Sequence, residues 1–388
     1  MTNPEKYDAI IIGSGKGGKI LATYLGKQNH KVALIERDTM MIGGGYINVA
    51  CIPTKTFIAS ARLVHSIRRA AEFGIKVEGV SVDWLTVRQR VEAVVSEMRA
   101  LNLKNFTSLQ SLDFILGTGR FLGPQEVEVV QNDGMVRHLT SERIFIDTGT
   151  RSAVPDLPGL LDVPFLTSET IQELDAVPSR LLVLGAGYIG LEFAQLMHRF
   201  GSKVTILERG TQILSHEDVE IAEALANCLQ REGIELQLNA ETERIYKSSE
   251  GQVGVIFRTP NGREEWIGSH MLVALGRAPV TKNLGLPAAG VETTANGFIK
   301  VNDRLETNVS GIWAIGDVSG GPQFIHASLD DFRILRDNVF GNGSRSRNDR
   351  YVPSTLFTDP ELANVGLTEK KQRPADWSSK FSRLRSLL

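Results

Sequence analysis

Three observations predict an α/β fold that uses one nucleotide-binding unit twice. The first is a glycine pattern, Gly13, Gly15 and Gly18, followed by Glu36. The second is its recurrence at Gly185, Gly187, Gly190 and Glu208, a constant offset of 172 residues from 13, 15, 18 and 36. The third is the flanking chain: Lys31 to Arg37 aligns with Lys203 to Arg209, and an apolar run precedes each glycine cluster. A lone glycine-rich turn can simply join a strand to a helix. Two in register, each with its acid in place, predict two Rossmann-like units holding two dinucleotides.

The elements follow in order. Tyr7 to Ile12 reads as a buried parallel strand. Gly13 permits the tight turn out of it, Gly15 lets the backbone approach a pyrophosphate, and Gly18 lets the next helix pack on the sheet. The pyrophosphate then meets unpaired N–H groups and the positive end of a helix dipole. Lys31 to Ile35 forms the next strand, with Glu36 placed to accept ribose hydroxyls. Two helical stretches, 54–73 and 84–106, precede strand-like segments 113–130 and 137–146 that close at Asp147-Thr148-Gly149. A Pro-rich linker leads to the second unit: strand Leu181–Leu184, a helix over 188–200, and strand-like segments 234–257 and 266–274 closing at Leu275-Gly276-Arg277. The expected division is 1–153 for the first part of one dinucleotide-binding domain and 154–281 for a second, which the family resemblance described below makes FAD-binding and NAD(P)-binding. Residues 282–350 return to the FAD-binding part, and 351–388 form an interface segment.

With 388 residues, 42% hydrophobic content and a formal charge of −2, the chain is an ordinary globular one with no call for nucleic acid or an anionic membrane as partner. No apolar run approaches a membrane span, and the polar start up to Tyr7 carries no secretory signal. The two cysteines, Cys51 and Cys228, make neither a disulfide framework nor a zinc spacing, so a cytoplasmic location is expected and no residue is assigned to a metal.

Two bound dinucleotides suggest electron transfer between them, with NAD(P)H as hydride donor and FAD as acceptor. The segment from Gly43 through Tyr46, Cys51, Pro53 and Lys55 resembles the redox-cysteine segment of the pyridine nucleotide–disulfide oxidoreductases, which include dihydrolipoamide dehydrogenase, glutathione reductase, mercuric reductase and a reactive-chlorine-resistance branch. The resemblance continues through 185–192, 274–279, 314–317, 321–328 and 353–369.

The resemblance implies roles residue by residue. Gly13, Gly15, Gly18 and Glu36 would hold the adenosine diphosphate of FAD, and Asp317 its ribityl chain. Lys55 would sit near the flavin N5 and pair with Glu192, and these two with Cys51 are the candidate catalytic residues. Gly185, Gly187, Gly190 and Glu208 would hold the nicotinamide cofactor. A helix starting near Ala327 would aim its N-terminus at the flavin N1–O2 edge, where reduction places negative charge. Arg37, Gly44, Gly119, Gly149, Tyr188, Ile189 and Gly276 complete the candidate cofactor-binding set. Glu208 favours a free 2′-hydroxyl and hence NADH, while Arg209 leaves NADPH possible. Blander readings stand beside these: Lys55 and Glu192 on solvated faces, Asp317 as a turn residue, His326 contributing only backbone, Cys228 as an inert boundary residue.

Two departures from the family pattern matter. Tyr46 stands where the family has its first redox cysteine, so no disulfide can form there within the chain. Cys51, at a helix start, is expected to have a lowered thiol pKa; it could remain a thiolate, form a mixed disulfide or cycle through sulfenic acid. The family pattern also stops after about Glu369, and the tail Lys370 to Leu388 lacks the expected acid–base histidine. It reads as a truncation, which puts the family's homodimer in doubt. The expected function is FAD-dependent NAD(P)H oxidation toward a small-molecule electron acceptor, with the disulfide relay impaired. The alternatives are a non-catalytic nucleotide-binding redox sensor, or a peroxide or small-disulfide reductase working through Cys51 alone.

Overall fold

A computed structural model describes residues 3–368. Its centre is an eight-stranded sheet in the order Glu5–Lys6, Val136–Thr140, Glu126–Gln131, Leu112–Gly123, Val32–Glu36, Ala9–Ile12, Ile144–Ile146, Ile312–Ala314. Ala9–Ile12 is buried along its whole length and pairs in parallel with Val32–Glu36 on one side and Ile144–Ile146 on the other. Its continuous apolar run is what a strand covered on both faces requires. The last strand in that order comes from beyond residue 282, so the chain returns to this sheet after building the second unit.

That second unit is an all-parallel sheet in the order Glu235–Gln237, Lys203–Leu207, Arg180–Leu184, His270–Val273. A three-stranded antiparallel sheet, 241–268, packs beside it. Arg277–Pro279 pairs antiparallel with Thr150–Ser152 and ties the two units together.

Helices α1 (Lys16–Lys27), α2 (Gly45–Asn48), α3 (Cys51–Arg68), α4 (Trp84–Thr107), α5 (Tyr188–Phe200), α6 (Val219–Glu232), α7 (Leu286–Ala289) and α8 (Ile325–Val339) cover the sheets. The expected helix 54–73 begins earlier, at Cys51. Pro53 lies in its first turn, where a missing N–H leaves no bond unmade. It also ends earlier, at Arg68, and passes into a short 3-10 turn, Ala70–Phe73. An aromatic stack joins α3, α4 and α5: Phe57 lies 5.3 Å from Trp84, which lies 5.6 Å from Phe200. Each such pair adds about 0.5–1.5 kcal/mol beyond the area it buries, so the first unit's helices are held firmly against the second unit.

After Tyr351 the chain forms a hairpin, Ser354–Leu356 with Leu362–Asn364. Glu369 and the tail Lys370–Leu388, on which the expectation of a truncated interface segment rests, lie outside the described residues.

Candidate functional site

The two glycine cradles agree bond for bond. Gly13 N–H donates to Ile35 O at 2.8 Å, and Gly185 N–H to Leu207 O at 2.9 Å. Glu36 accepts from the N–H groups of Ser14 (3.1 Å) and Asp38 (3.3 Å); Glu208 accepts from those of Ala186 (2.9 Å) and Gly210 (2.7 Å). Every partner pair keeps the 172-residue offset. Gly13 and Gly185 have φ of +102° and +100°, the left-handed region that favours glycine. Gly15 and Gly187 stand at the N-caps of α1 and α5 with no side-chain cap of their own; in the first turn of α1 the Gly17 N–H donates to Ser328 Oγ at 3.0 Å and the Gly18 N–H to Asp147. A Cβ on Gly187 would point into open space, whereas one on Gly15 would meet Asp147 Oδ2 at 2.6 Å.

The segment with the candidate cysteine lies against the first cradle. Gly44 has φ +91°, and a Cβ there would stand 2.7 Å from Gly15 Cα. Tyr46, on α2, accepts a hydrogen bond from the buried Lys19 ammonium at 2.8 Å, and Lys19 also donates to Asn102 Oδ1 at 2.7 Å. Burial, with Lys16 nearby, pulls Lys19 down to about 7.

Cys51 is the first residue of α3, as the sequence indicates, but its expected acidity is corrected. Burial pushes the thiol up, Lys55 pulls against it, and the charges of Glu192 and Asp317 push it further up. Desolvation outweighs the helix dipole on which the expectation rested. Both cysteines are free.

Lys55 Nζ donates to both oxygens of Glu192, at 2.9 and 2.7 Å, so the expected pairing of α3 with α5 is present. Glu192 is 6% exposed and Lys55 32%, which rules out the solvated-face reading for the acid. Phe357, 165 positions from Glu192 and signalled by no motif, completes this pair. Its N–H donates to Glu192 Oε1 at 3.0 Å, and its ring centroid lies 4.8 Å from Lys55 Nζ.

Asp317, in the turn Gly316–Ser319, accepts from the Thr150 hydroxyl at 2.8 Å, which in turn receives a bond from Arg277 Nε at 2.8 Å. Burial raises its carboxyl. α8 begins at Ile325, two residues before Ala327, and has no side-chain cap. The remaining candidates fall in two groups. Gly149 and Gly276, at φ +67° and +118°, end the strands that flank the cradles, with open space where a Cβ would stand. Tyr188 and Ile189 open α5, and the Tyr188 hydroxyl donates to Glu217 at 3.0 Å. Gly119 is different: it lies inside Leu112–Gly123, and its Cβ would meet Ile35 and Ile12 side chains rather than either glycine loop. Arg37 is exposed. The sequence reading missed Asp147, which is 6% exposed and accepts the Gly18 N–H at 2.6 Å.

The family model for pyridine nucleotide-disulphide oxidoreductases matches residues 7–331. The chain belongs to this family. It is 40% identical over 370 residues to the probable pyridine nucleotide-disulfide oxidoreductase RclA of Escherichia coli, an alignment covering 95% of this chain and 79% of RclA. It is 35% identical to a mercuric reductase of Lysinibacillus sphaericus, over 98% of this chain and 68% of that protein. The solved Cu(II) complex of the HOCl-induced flavoprotein disulfide reductase RclA from Escherichia coli superimposes with a TM-score of 0.83 at 38% identity, covering 93% of this chain and 78% of that one. As a pyridine nucleotide-disulphide oxidoreductase the chain is an FAD-dependent oxidoreductase that uses a pyridine nucleotide. The residues present fit both groups: a helix N-terminus behind each glycine turn, glycines where a Cβ would intrude, and a buried Thr148 hydroxyl without a partner beside the first cradle. Among the described residues, no helix is long and apolar enough to cross a membrane.

Proposed function

We propose that this chain oxidises NADH through FAD and delivers the electrons to a small-molecule acceptor, without an internal disulfide relay. The carrying observation is the matched pair of cradles, alike in the φ of their first glycines and in the two backbone N–H groups that each strand-end acid holds. In this reading Gly13, Gly15, Gly18 and Glu36 hold the FAD diphosphate and ribose. Gly185, Gly187, Gly190 and Glu208 hold those of the nicotinamide cofactor. Bound FAD would supply hydride acceptance and onward electron transfer. The chain's part is positioning and charge: Lys55, fixed by Glu192, places an ammonium at the redox centre, and the uncapped start of α8 offers a dipole to developing negative charge. Glu208, its two oxygens already holding backbone N–H groups, places a carboxylate beside the ribose position and disfavours a 2′-phosphate.

Tyr46 supports the absence of a relay, because a phenol cannot exchange with a disulfide. Quinones, dyes, dioxygen and metal ions are the acceptor classes this leaves. The names of the relatives point to metal ions first, since one is a mercuric reductase and RclA has been solved as a Cu(II) complex. The test is anaerobic addition of NADH to the yellow, FAD-loaded protein. The flavin absorbance near its visible maximum should bleach within seconds, and Hg(II), Cu(II) and quinones should then be compared for its recovery. Bound FAD that NADH leaves unbleached overturns the reading and favours a nucleotide-binding sensor. A second reading, reduction of peroxide or small disulfides by Cys51, is favoured by that thiol's place at the head of α3 near Lys55. It requires that Cys51→Ser abolish such turnover while NADH–dye activity survives.

A further inference from the structure

The twin cradles differ where the closing strand meets the first glycine. In each, the strand that closes the unit sends a backbone N–H to the first strand's last carbonyl: Asp147 to Ile12 at 2.8 Å, Ala274 to Leu184 at 2.8 Å. In each, the carbonyl of that same residue presses on the first glycine; a Cβ would stand 2.3 Å from Asp147 O on Gly13 and 2.7 Å from Ala274 O on Gly185. The second cradle has only a methyl group here. The first has a carboxyl, buried under the glycine loop.

The Asp147 carboxyl is closely enclosed. Its Oδ2 takes the Gly18 N–H at 2.6 Å. A Cβ on Gly15 or Gly18 would lie 2.6 or 2.7 Å from that oxygen, and one on Gly316 3.0 Å from Oδ1. Three glycines therefore make room for one side chain. Gly18 N–H belongs to the first turn of α1, the set of donors whose field favours an anion at the cradle. An ionised Asp147 would satisfy that field from within the protein and would repel a pyrophosphate placed at the same helix end.

We propose that Asp147 is a positioning residue that admits FAD only as the neutral acid, and that its ionisation releases the cofactor. The proposal rests on the reading that the first cradle takes FAD. Ala274 shows that the unit is built without a carboxyl, so the fold itself does not call for one. The charges facing Asp147 include Glu36 from Val32–Glu36, Asp317 from the turn Gly316–Ser319, Asp331 from α8 and the cation Lys19 from α1. Asp331 is answered by Arg350 at 2.6 Å, Glu36 by the Ser14 hydroxyl, also at 2.6 Å, and Asp317 by Thr150. Burial above all, then the carboxylates of Asp317, Asp331 and Glu36, pushes Asp147 well above the usual carboxylate range, against the pull of Gly18 N–H. Binding of FAD to apoprotein carrying the ionised acid takes up one proton from solvent, and release returns it.

The experiment measures the FAD dissociation constant of the deflavinated full chain from pH 6 to pH 9 by flavin fluorescence, and proton uptake by calorimetry in two buffers of different ionisation heat. Wild type should weaken up to tenfold per pH unit above the carboxyl's ionisation, with uptake approaching one proton per FAD. Asp147→Asn and Asp147→Ala, the second copying Ala274, should bind FAD with a flat profile and no uptake. Lys19→Met controls for the neighbouring lysine and should keep the wild-type slope. A flat wild-type profile, or a slope that survives in both Asp147 variants, overturns the proposal. Failure of all four proteins to bind FAD at any pH overturns the cofactor reading, and the proposal with it.

Discussion

Lys19 Nζ lies 2.8 Å from the Tyr46 hydroxyl and 4.8 Å from the centre of its ring. Tyr46, expected at the position of the family's first redox cysteine, is thus held by a buried lysine. Lys19 is charged in the unfolded chain up to about pH 10.4, but in the fold it loses its proton from about 7 upward. Between these values the unfolded state binds more protons, so stability from this group rises with pH. Thermal melts of wild type and Lys19→Met should show wild type gaining on the variant from pH 7 to pH 10. A constant difference across that range contradicts the buried, depressed lysine.

Tyr46→Cys restores the spacing of five to Cys51. Thiol counting should find two free thiols in the wild type, reduced or oxidised, and three falling to one in the variant after mild oxidation. Three thiols persisting under oxidant would mean that Tyr46 does not occupy the first-cysteine position.

Lys55→Met strands the Glu192 carboxylate with only the Phe357 N–H and the protein interior around it. A buried pair that loses one member costs about 3–5 kcal/mol; Lys55 is a third exposed, so about 2 kcal/mol is expected from denaturant unfolding. Glu192→Gln keeps an acceptor for Phe357 N–H and should cost less. Equal losses would show that the charge pair adds nothing.

Gly15→Ala and Gly187→Ala separate folding from binding. The first drives a methyl into Asp147 at 2.6 Å and should destabilise the apoprotein. The second meets no atom and should leave the melting temperature within about 1 °C, a shift of a few tenths of a kcal/mol, while raising KM for NADH at least tenfold. An unchanged KM would remove Gly187 from the nucleotide site.

Glu208→Ser removes the carboxylate next to Arg209. The ratio of kcat/KM for NADPH to that for NADH should rise by about tenfold or more, equivalent to about 1.4 kcal/mol. No change would assign cofactor choice elsewhere.

Much of this site was legible in the chain because its signals are local. The 172-residue repeat predicts both cradles down to the acids, and α5 runs over the expected residues, Tyr188–Phe200. What stayed hidden depends on residues far apart in sequence. Asp147 meets Gly18 across 129 positions and Phe357 meets Glu192 across 165, and no spacing rule reports either. The Cys51 thiol was misjudged for the same reason: a helix start is visible locally, whereas burial is a property of the assembled fold.

The stretch from Arg350 to Glu361 acts as a strap. At one end Arg350 grips Asp331 on α8 at 2.6 Å. At the other, Arg62 on α3 holds the Thr358 carbonyl and Glu361, and Gln195 and Arg199 on α5 hold Asp359. Opening the cleft between the units by hinge motion would have to tear these contacts in sequence. Separation of α3 from α5 is therefore opposed by a segment that binds both helices from outside.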